Sequence, residues 1–280
     1  MRVYISVDME GVAGIATTDQ TVRGGHGYPR AQELMTGEAN AAITGAFDAG
    51  ATTVTVSDSH GTMDNLLHER LDERAELVFG TPRPHSMAQG LDESFDVALF
   101  VGYHAAAGER GVLSHTYSSL FGAFKLNDAT VSEAEINALF AASQGVPIGL
   151  VTGDDVICAV ADKQFPNVAS VAVKTVEGWT AARSMHPTAA RDAIRGGAAS
   201  AVTTAGSLRP IAVPPRLIIE LAMPVPTAAE LAALVPGTER VDAITVRREV
   251  EDPRQLLGLV TVWSNLASSA ERGRLALLSR

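Results

Sequence analysis

Asp8 and Glu10 stand two residues apart in Ser6-Val7-Asp8-Met9-Glu10-Gly11, directly after the β-favouring run Met1-Arg2-Val3-Tyr4-Ile5. Side chains two apart on a strand share a face, so this spacing predicts two carboxylates side by side at the C-terminal end of a first strand. Neighbouring carboxylates repel each other and resist desolvation, and a cation between them relieves both costs. The plain alternative is a solvated pair or one matched by Arg or Lys, the usual state of acidic residues. Gly11 and Gly14 follow at once and let the backbone turn tightly over the strand end, which places the pair in a crevice.

Two further strands deliver metal-binding side chains in the same way. The β-branched run 51–57 leads into Asp58-Ser59-His60-Gly61, and the apolar run 95–103 leads directly into His104. In open α/β sheets ligands bind beyond the carboxyl ends of the strands, so Asp8, Glu10, His60 and His104 are expected to converge on one edge. Glu133 follows Ser132, a good N-cap for a helix over 133–143. In that first turn a carboxylate serves equally well to offset the helix dipole. Imidazoles and carboxylates together make a mixed N/O donor set suited to zinc and tolerant of manganese or cobalt. Five ligands, three of them carboxylates, exceed what one tetrahedral zinc needs. Two ions per chain bridged by a carboxylate are therefore expected. Paired metals clamp a water and stabilise the charge that develops in hydrolysis, so the expected class is a hydrolase.

The elements that must position these groups read as α/β. Of 280 residues, 46% are hydrophobic but only 5% aromatic, a core of Ala, Val, Leu and Ile that suits helices packed on a mostly parallel sheet. A helix is predicted over 29–49, ending at Gly50, and a hairpin turning at Asn127-Asp128. The segment 149–153 reads as a strand followed by a turn at Asp154-Asp155. From about Val168 the pattern changes: strands over 169–174, 216–222 and 240–247, and helices over 187–204, 227–234 and 253–278. The expected organisation is a metal-binding catalytic α/β domain over 1–167 and a smaller C-terminal α/β domain over 168–280. The latter, whose sole histidine is His186, is expected to serve assembly or chamber walls.

Lys and Arg total 22 against 32 Asp and Glu, a net charge of −10 with no basic cluster, which argues against nucleic acid or an anionic membrane as partner. A single cysteine, Cys158 in an apolar context, excludes an intramolecular disulfide and a cysteine zinc cage and reads as a packing residue. No signal-peptide pattern and no bilayer-length apolar run is found, so a cytoplasmic location is expected. His26, His68, His85 and His186 read as exposed or capping residues.

The segments Ser6-Val7-Asp8-Met9-Glu10-Gly11, Asp58-Ser59-His60, Gly102-Tyr103-His104, Ser114-His115 and Glu133 with Asn137 resemble, in order and spacing, the D-aminopeptidases of the dipeptide-transport type, a family of dinuclear zinc peptidases. The resemblance runs over essentially the whole chain. It implies Asp8, Glu10, His60, His104 and Glu133 as metal ligands, Asp8 as the bridge, and His115 as the catalytic residue beside them. It also implies a homo-oligomer, a ring-stacked decamer enclosing a chamber, acting on short peptides that contain D-amino acids. From residue type alone, His115 could equally be a sixth ligand or a surface histidine. Two other functions are consistent with the metal set: a dinuclear phosphoesterase, for which no glycine-rich phosphate cradle is present, and a metal-binding protein without turnover.

Overall fold

A computed structural model describes residues 1–278. β1 (Arg2–Val7) leads through a short α1 (Thr18–Thr21) to the long α2 (Tyr28–Asp48), then β2 (Thr53–Asp58) and β3 (Ala75–Val78). β4 (Val97–Tyr103) precedes a hairpin of β5 (Ala123–Leu126) and β6 (Ala129–Thr130), after which come α3 (Glu133–Ser143), β7 (Ile148–Asp154) and α4 (Asp155–Gln164). β8 (Ala169–Gly178), β9 (Ala181–Ser184) and α5 (Pro187–Thr204) follow. The chain continues with β10 (Leu217–Ala222), α6 (Pro226–Ala233), β11 (Glu239–Arg240), β12 (Thr245–Val250) and α7 (Pro253–Leu278). No described helix is long and apolar enough to cross a membrane.

The strands form two sheets. The larger has seven strands in the order β3-β2-β1-β4-β7-β8-β9, parallel throughout except for the antiparallel edge strand β9. The winding reverses between β1 and β4, which makes the carboxyl ends of those two strands the switch point where such sheets open a crevice. The fold class is the expected α/β. β1 shows why its sequence is a strand: Val3, Ile5 and Val7 pack in one core with α2 and α5, while Tyr4 points to the opposite core. A strand covered on both faces reads as a continuous apolar run. The second core joins Tyr4, Phe100 and Phe140 to Phe124 and Ile219 of the smaller antiparallel sheet, ordered β11-β12-β10-β5-β6, and to the fully buried Trp263 of α7.

The two sheets do not divide at residue 168. β8 pairs in parallel with β7, Leu150 opposite Ala169, so β8 and β9 belong with the seven-stranded sheet, and α5 packs in the same core as β1. The β5–β6 hairpin, from the first half of the chain, pairs through Ile219 opposite Leu126 with β10. The boundary expected from the change of pattern near Val168 thus falls within one sheet. The turn expected at Asp154-Asp155 begins α4 instead, because Asp154 accepts hydrogen bonds from the Val156 and Ile157 amides at 3.1 and 2.9 Å and acts as N-cap. At α3 the expectation matches: Ser132 and Glu135 form a reciprocal capping box.

The ends of β1 and β4 touch backbone to backbone. The Gly11 amide donates to the Gly102 carbonyl at 2.7 Å, and a Cβ on Gly11 would lie 2.0 Å from the Tyr103 carbonyl oxygen. Gly102 has φ +73, and a Cβ there would meet the Asp8 carbonyl oxygen at 2.3 Å. Both glycines are needed for the two strand ends to close on each other. Gly11→Ala is expected to cost about 2–3 kcal/mol through overpacking and to lower the Tm by at least about 5 °C. A thermal melt superimposable on the parent would show that this approach is not required.

Candidate metal centre

Every side chain of the site hangs from a strand end, a helix start or the loop between them. Asp8 and Glu10 follow β1, His60 lies two residues past β2, and His104 directly follows β4. Glu133 opens α3, and His115 lies on the loop between β4 and β5. The structure brings all six together. Asp8, Glu10, His60, His104 and Glu133 are buried, whereas the His115 side chain is 18% exposed.

Asp8 sits at the centre. Its Oδ1 lies 3.3 Å from His60 Nδ1, and its Oδ2 lies 3.4 Å from His104 Nε2. Glu10 joins the His60 side, Oε2 to Nδ1 at 2.9 Å. Glu133 joins the His104 side, Oε2 to Nε2 at 3.4 Å. His115 stacks on His104 with ring centroids 4.3 Å apart and brings Nε2 within 3.8 Å of Glu133 Oε1. Ligand atoms of Asp8, Glu10 and His104 lie within 4.8 Å of one another, as do those of His104, His115 and Glu133.

The hydrogen bonds on the far sides of the rings decide what the near sides can do. His60 Nε2 donates to the Thr21 carbonyl at 2.7 Å, His104 Nδ1 to Ala105 at 2.9 Å and His115 Nδ1 to Leu113 at 2.9 Å. With that proton spent on a backbone carbonyl, each neutral imidazole turns a lone pair toward carboxylates, the arrangement that orients metal-ligating histidines. His104 Nε2 is buried without a hydrogen-bond partner. Lone pairs facing buried carboxylates repel unless positive charge lies between them. Burial pulls the His60 and His104 imidazoles down, yet the carboxylates around them prevail and hold both well above the ordinary value, so each near-side nitrogen calls for positive charge, a proton or a metal cation. Burial pushes the Asp8 carboxyl up, and the His104 and His60 imidazoles beside it more than offset that and hold it below the ordinary value. The donor set therefore fits metal cations: two imidazole nitrogens and three carboxylates, with Asp8 at the centre.

A polar layer lies behind the cluster. Tyr103 Oη meets Ser6 Oγ at 2.7 Å, Asn137 Nδ2 donates to Tyr103 Oη at 3.0 Å, and Tyr117 Oη donates to Asn137 Oδ1 at 2.9 Å. Asp58 holds the His60 loop, accepting from the Asn65 and Leu66 amides at 2.5 and 2.7 Å. One contributor escaped the sequence reading. Lys174 of β8 is 2% exposed, and its ammonium donates to the carbonyls of Glu10, Val12 and Ile15, which uses all three of its protons. Its only signal is a lone charge ending the apolar run Val171-Ala172-Val173. The remaining histidines stay outside the cluster: His186 caps α5, accepting from the Thr188 amide, and His26 and His68 are exposed. His85 packs on Phe140. Cys158 is buried with its thiol pushed up to about 12 by burial, the state of a packing residue.

The cluster floors a cleft of about 590 Å³, within the size range of small-ligand sites. Its walls include Arg23, Met63, Trp179 and, from α7, Thr261, Ser264 and Asn265.

Three comparisons relate the chain to known proteins. The family model described as D-aminopeptidase matches residues 1–262. A D-aminopeptidase of Bacillus subtilis is 37% identical over 270 residues, which cover 95% of this chain and 98% of that protein. The solved structure described as the Zn-dependent D-aminopeptidase DppA from Bacillus subtilis, a self-compartmentalizing protease, superposes with a TM-score of 0.91 at 36% identity. The superposition covers 96% of this chain and 98% of the other. The chain belongs to the D-aminopeptidase family.

Proposed function

We propose that this chain is a zinc-dependent aminopeptidase that removes the N-terminal residue of short peptides containing D-amino acids. Asp8, Glu10, His60, His104 and Glu133 would hold two zinc ions per chain, with manganese or cobalt as substitutes. The observation that carries this reading is the position of Asp8, one oxygen facing His60 and the other His104, so that its carboxylate would be available to a cation on either side. Glu10 completes one half-site and Glu133 the other. The zinc dependence of the Bacillus relative supports the choice of metal. When bound, such a pair supplies Lewis-acid polarisation of the scissile carbonyl and a nucleophilic water at neutral pH.

The chain's own residues do the rest. The Leu113 carbonyl fixes the proton of His115 on Nδ1, leaving Nε2 free to take a proton and pass it to the leaving amine, or to hydrogen-bond the developing oxyanion when protonated. Tyr103, Asn137 and Ser6 lock the strand ends from behind. The cleft walls shield the reacting groups from bulk water. A homo-oligomer, ring-stacked as a decamer around a chamber, is part of the reading and is supported by the self-compartmentalizing relative. The segment after residue 168 contributes to chamber walls through α7. A buried, free Cys158 fits a cytoplasmic protein. A phosphoesterase is disfavoured because Arg23, the one arginine or lysine among the described cleft-lining residues, is already paired with Asp64 at 2.7 Å.

Incubated with zinc, the protein is expected to release alanine from D-alanyl peptides, to act poorly on L-alanyl peptides and to leave p-nitrophenyl phosphate intact, with activity lost to a chelator. Phosphate-ester cleavage, or silence on all peptides with zinc bound, would overturn the assignment. His115→Ala should keep its zinc, its fold and its KM while turnover falls about 100- to 10,000-fold, the range for a lost general acid–base group. Loss of zinc in that variant would make His115 a ligand, and full activity would remove it from catalysis.

A further inference from the structure

We infer that Trp179, at the tip of the β8–β9 hairpin, is a positioning residue for His115 and a wall of the substrate cleft. It lies 64 residues from His115 in sequence. Its backbone carbonyl accepts from the Leu113 amide at 2.8 Å, and its indole Nε1 donates to the Ser114 carbonyl at 3.3 Å. One residue thus grips the two positions immediately before His115. The Leu113 carbonyl, on the peptide that follows the gripped amide, is the group that holds His115 Nδ1 at 2.9 Å. The path from Trp179 to the imidazole is two hydrogen bonds with Leu113 between them.

The loop needs such a grip. Leu113 and Tyr117 both lie in the left-handed region, with φ of 54 and 60, which non-glycine residues keep only where their surroundings hold them. Upstream, the Val112 amide is tied to Asp154 Oδ2 at 2.9 Å, and Arg110 donates to the Val176 carbonyl at 3.1 Å. Downstream, Thr116 donates to the Val131 carbonyl at 3.2 Å. Trp179 closes the interval between them from the two-residue turn of the β8–β9 hairpin. The indole is also out of place as a packing group. It is 52% exposed, in contrast to the fully buried Trp263, and it lines the same cleft as His115, Glu10 and Glu133. An exposed aromatic ring beside a reacting group offers rigid apolar area to a bound peptide at small entropic cost.

The kinetic arm of the test rests on the aminopeptidase reading, and the chemical arm does not. On a D-alanyl dipeptide, Trp179→Phe keeps the aromatic wall and loses the N–H, so kcat should fall about three- to ten-fold with KM nearly unchanged. Trp179→Ala should lower kcat by about ten-fold or more, as a misplaced catalytic group does, and also raise KM several-fold. Zinc content and Tm should stay at parent values in both. A Phe variant with parent kcat, or an Ala variant that changes KM alone, would overturn the positioning role and leave only a wall. The chemical arm follows carbethoxylation of His115 by diethyl pyrocarbonate in the zinc-loaded protein, by peptide mass mapping, with exposed His26, His68 and His186 as internal references. Trp179→Phe should speed His115 modification several-fold and leave the references unchanged. Equal rates would refute the grip. A parent protein that cleaves no peptide, with the rate change still present, would sink the aminopeptidase reading and sustain the positioning of His115.

Discussion

Three buried carboxylates, with two imidazole lone pairs turned toward them, set the terms for the rest of this molecule. At the floor of the cleft, buried Asp8, Glu10 and Glu133 repel one another, and His60 and His104, each with one proton spent on the Thr21 or Ala105 carbonyl, relieve them only by taking up a second proton or by sharing a cation with them. The arrangement is stable when positive charge occupies the gaps. Asp8 stands between two groups, His60 with Glu10 on one side and His104 with Glu133 on the other.

Holding such a cluster together against its own repulsion requires a stiff frame. The doubly wound sheet supplies it by ending β1, β2 and β4 side by side, and Gly11 and Gly102 allow the ends of β1 and β4 to meet backbone to backbone. Lys174 anchors the turn after β1 through three carbonyls. The capping box of Ser132 and Glu135 fixes the first turn of α3 and with it Glu133. The loop carrying His115, by contrast, borrows its rigidity from neighbours. That division, a rigid floor of carboxylates and imidazoles with His115 on a braced loop above it, is common where function sits on loops over a scaffold.

Much of this was legible in the chain. A strand that ends in a ligand-type residue announces itself through local pattern, so the runs before Asp8, His60 and His104 gave both their strands and their convergence. Ser132 as a cap, and the helices beginning at Pro187 and Pro253, were readable for the same reason: their signals lie within a few residues. The pairing of β10 with β5 and of β8 with β7 was not, because register between distant segments leaves no periodic trace, and the change of pattern near Val168 gives no sign that one sheet continues across it. Lys174 and Trp179 escaped for a related cause. Each is a lone residue in its own segment and acquires meaning only from carbonyls 159 to 164 residues away in one case and from a neighbouring loop in the other.

The central claim is that the repulsion around Asp8 is resolved by two cations that share it. Crystals of the zinc-loaded protein, with anomalous difference maps recorded on either side of the zinc edge, test this most directly. The account predicts two zinc peaks per chain, both within bonding distance of Asp8, one with Glu10 and His60 and the other with His104 and Glu133. A single peak at full zinc loading, or two peaks of which only one touches Asp8, would contradict it.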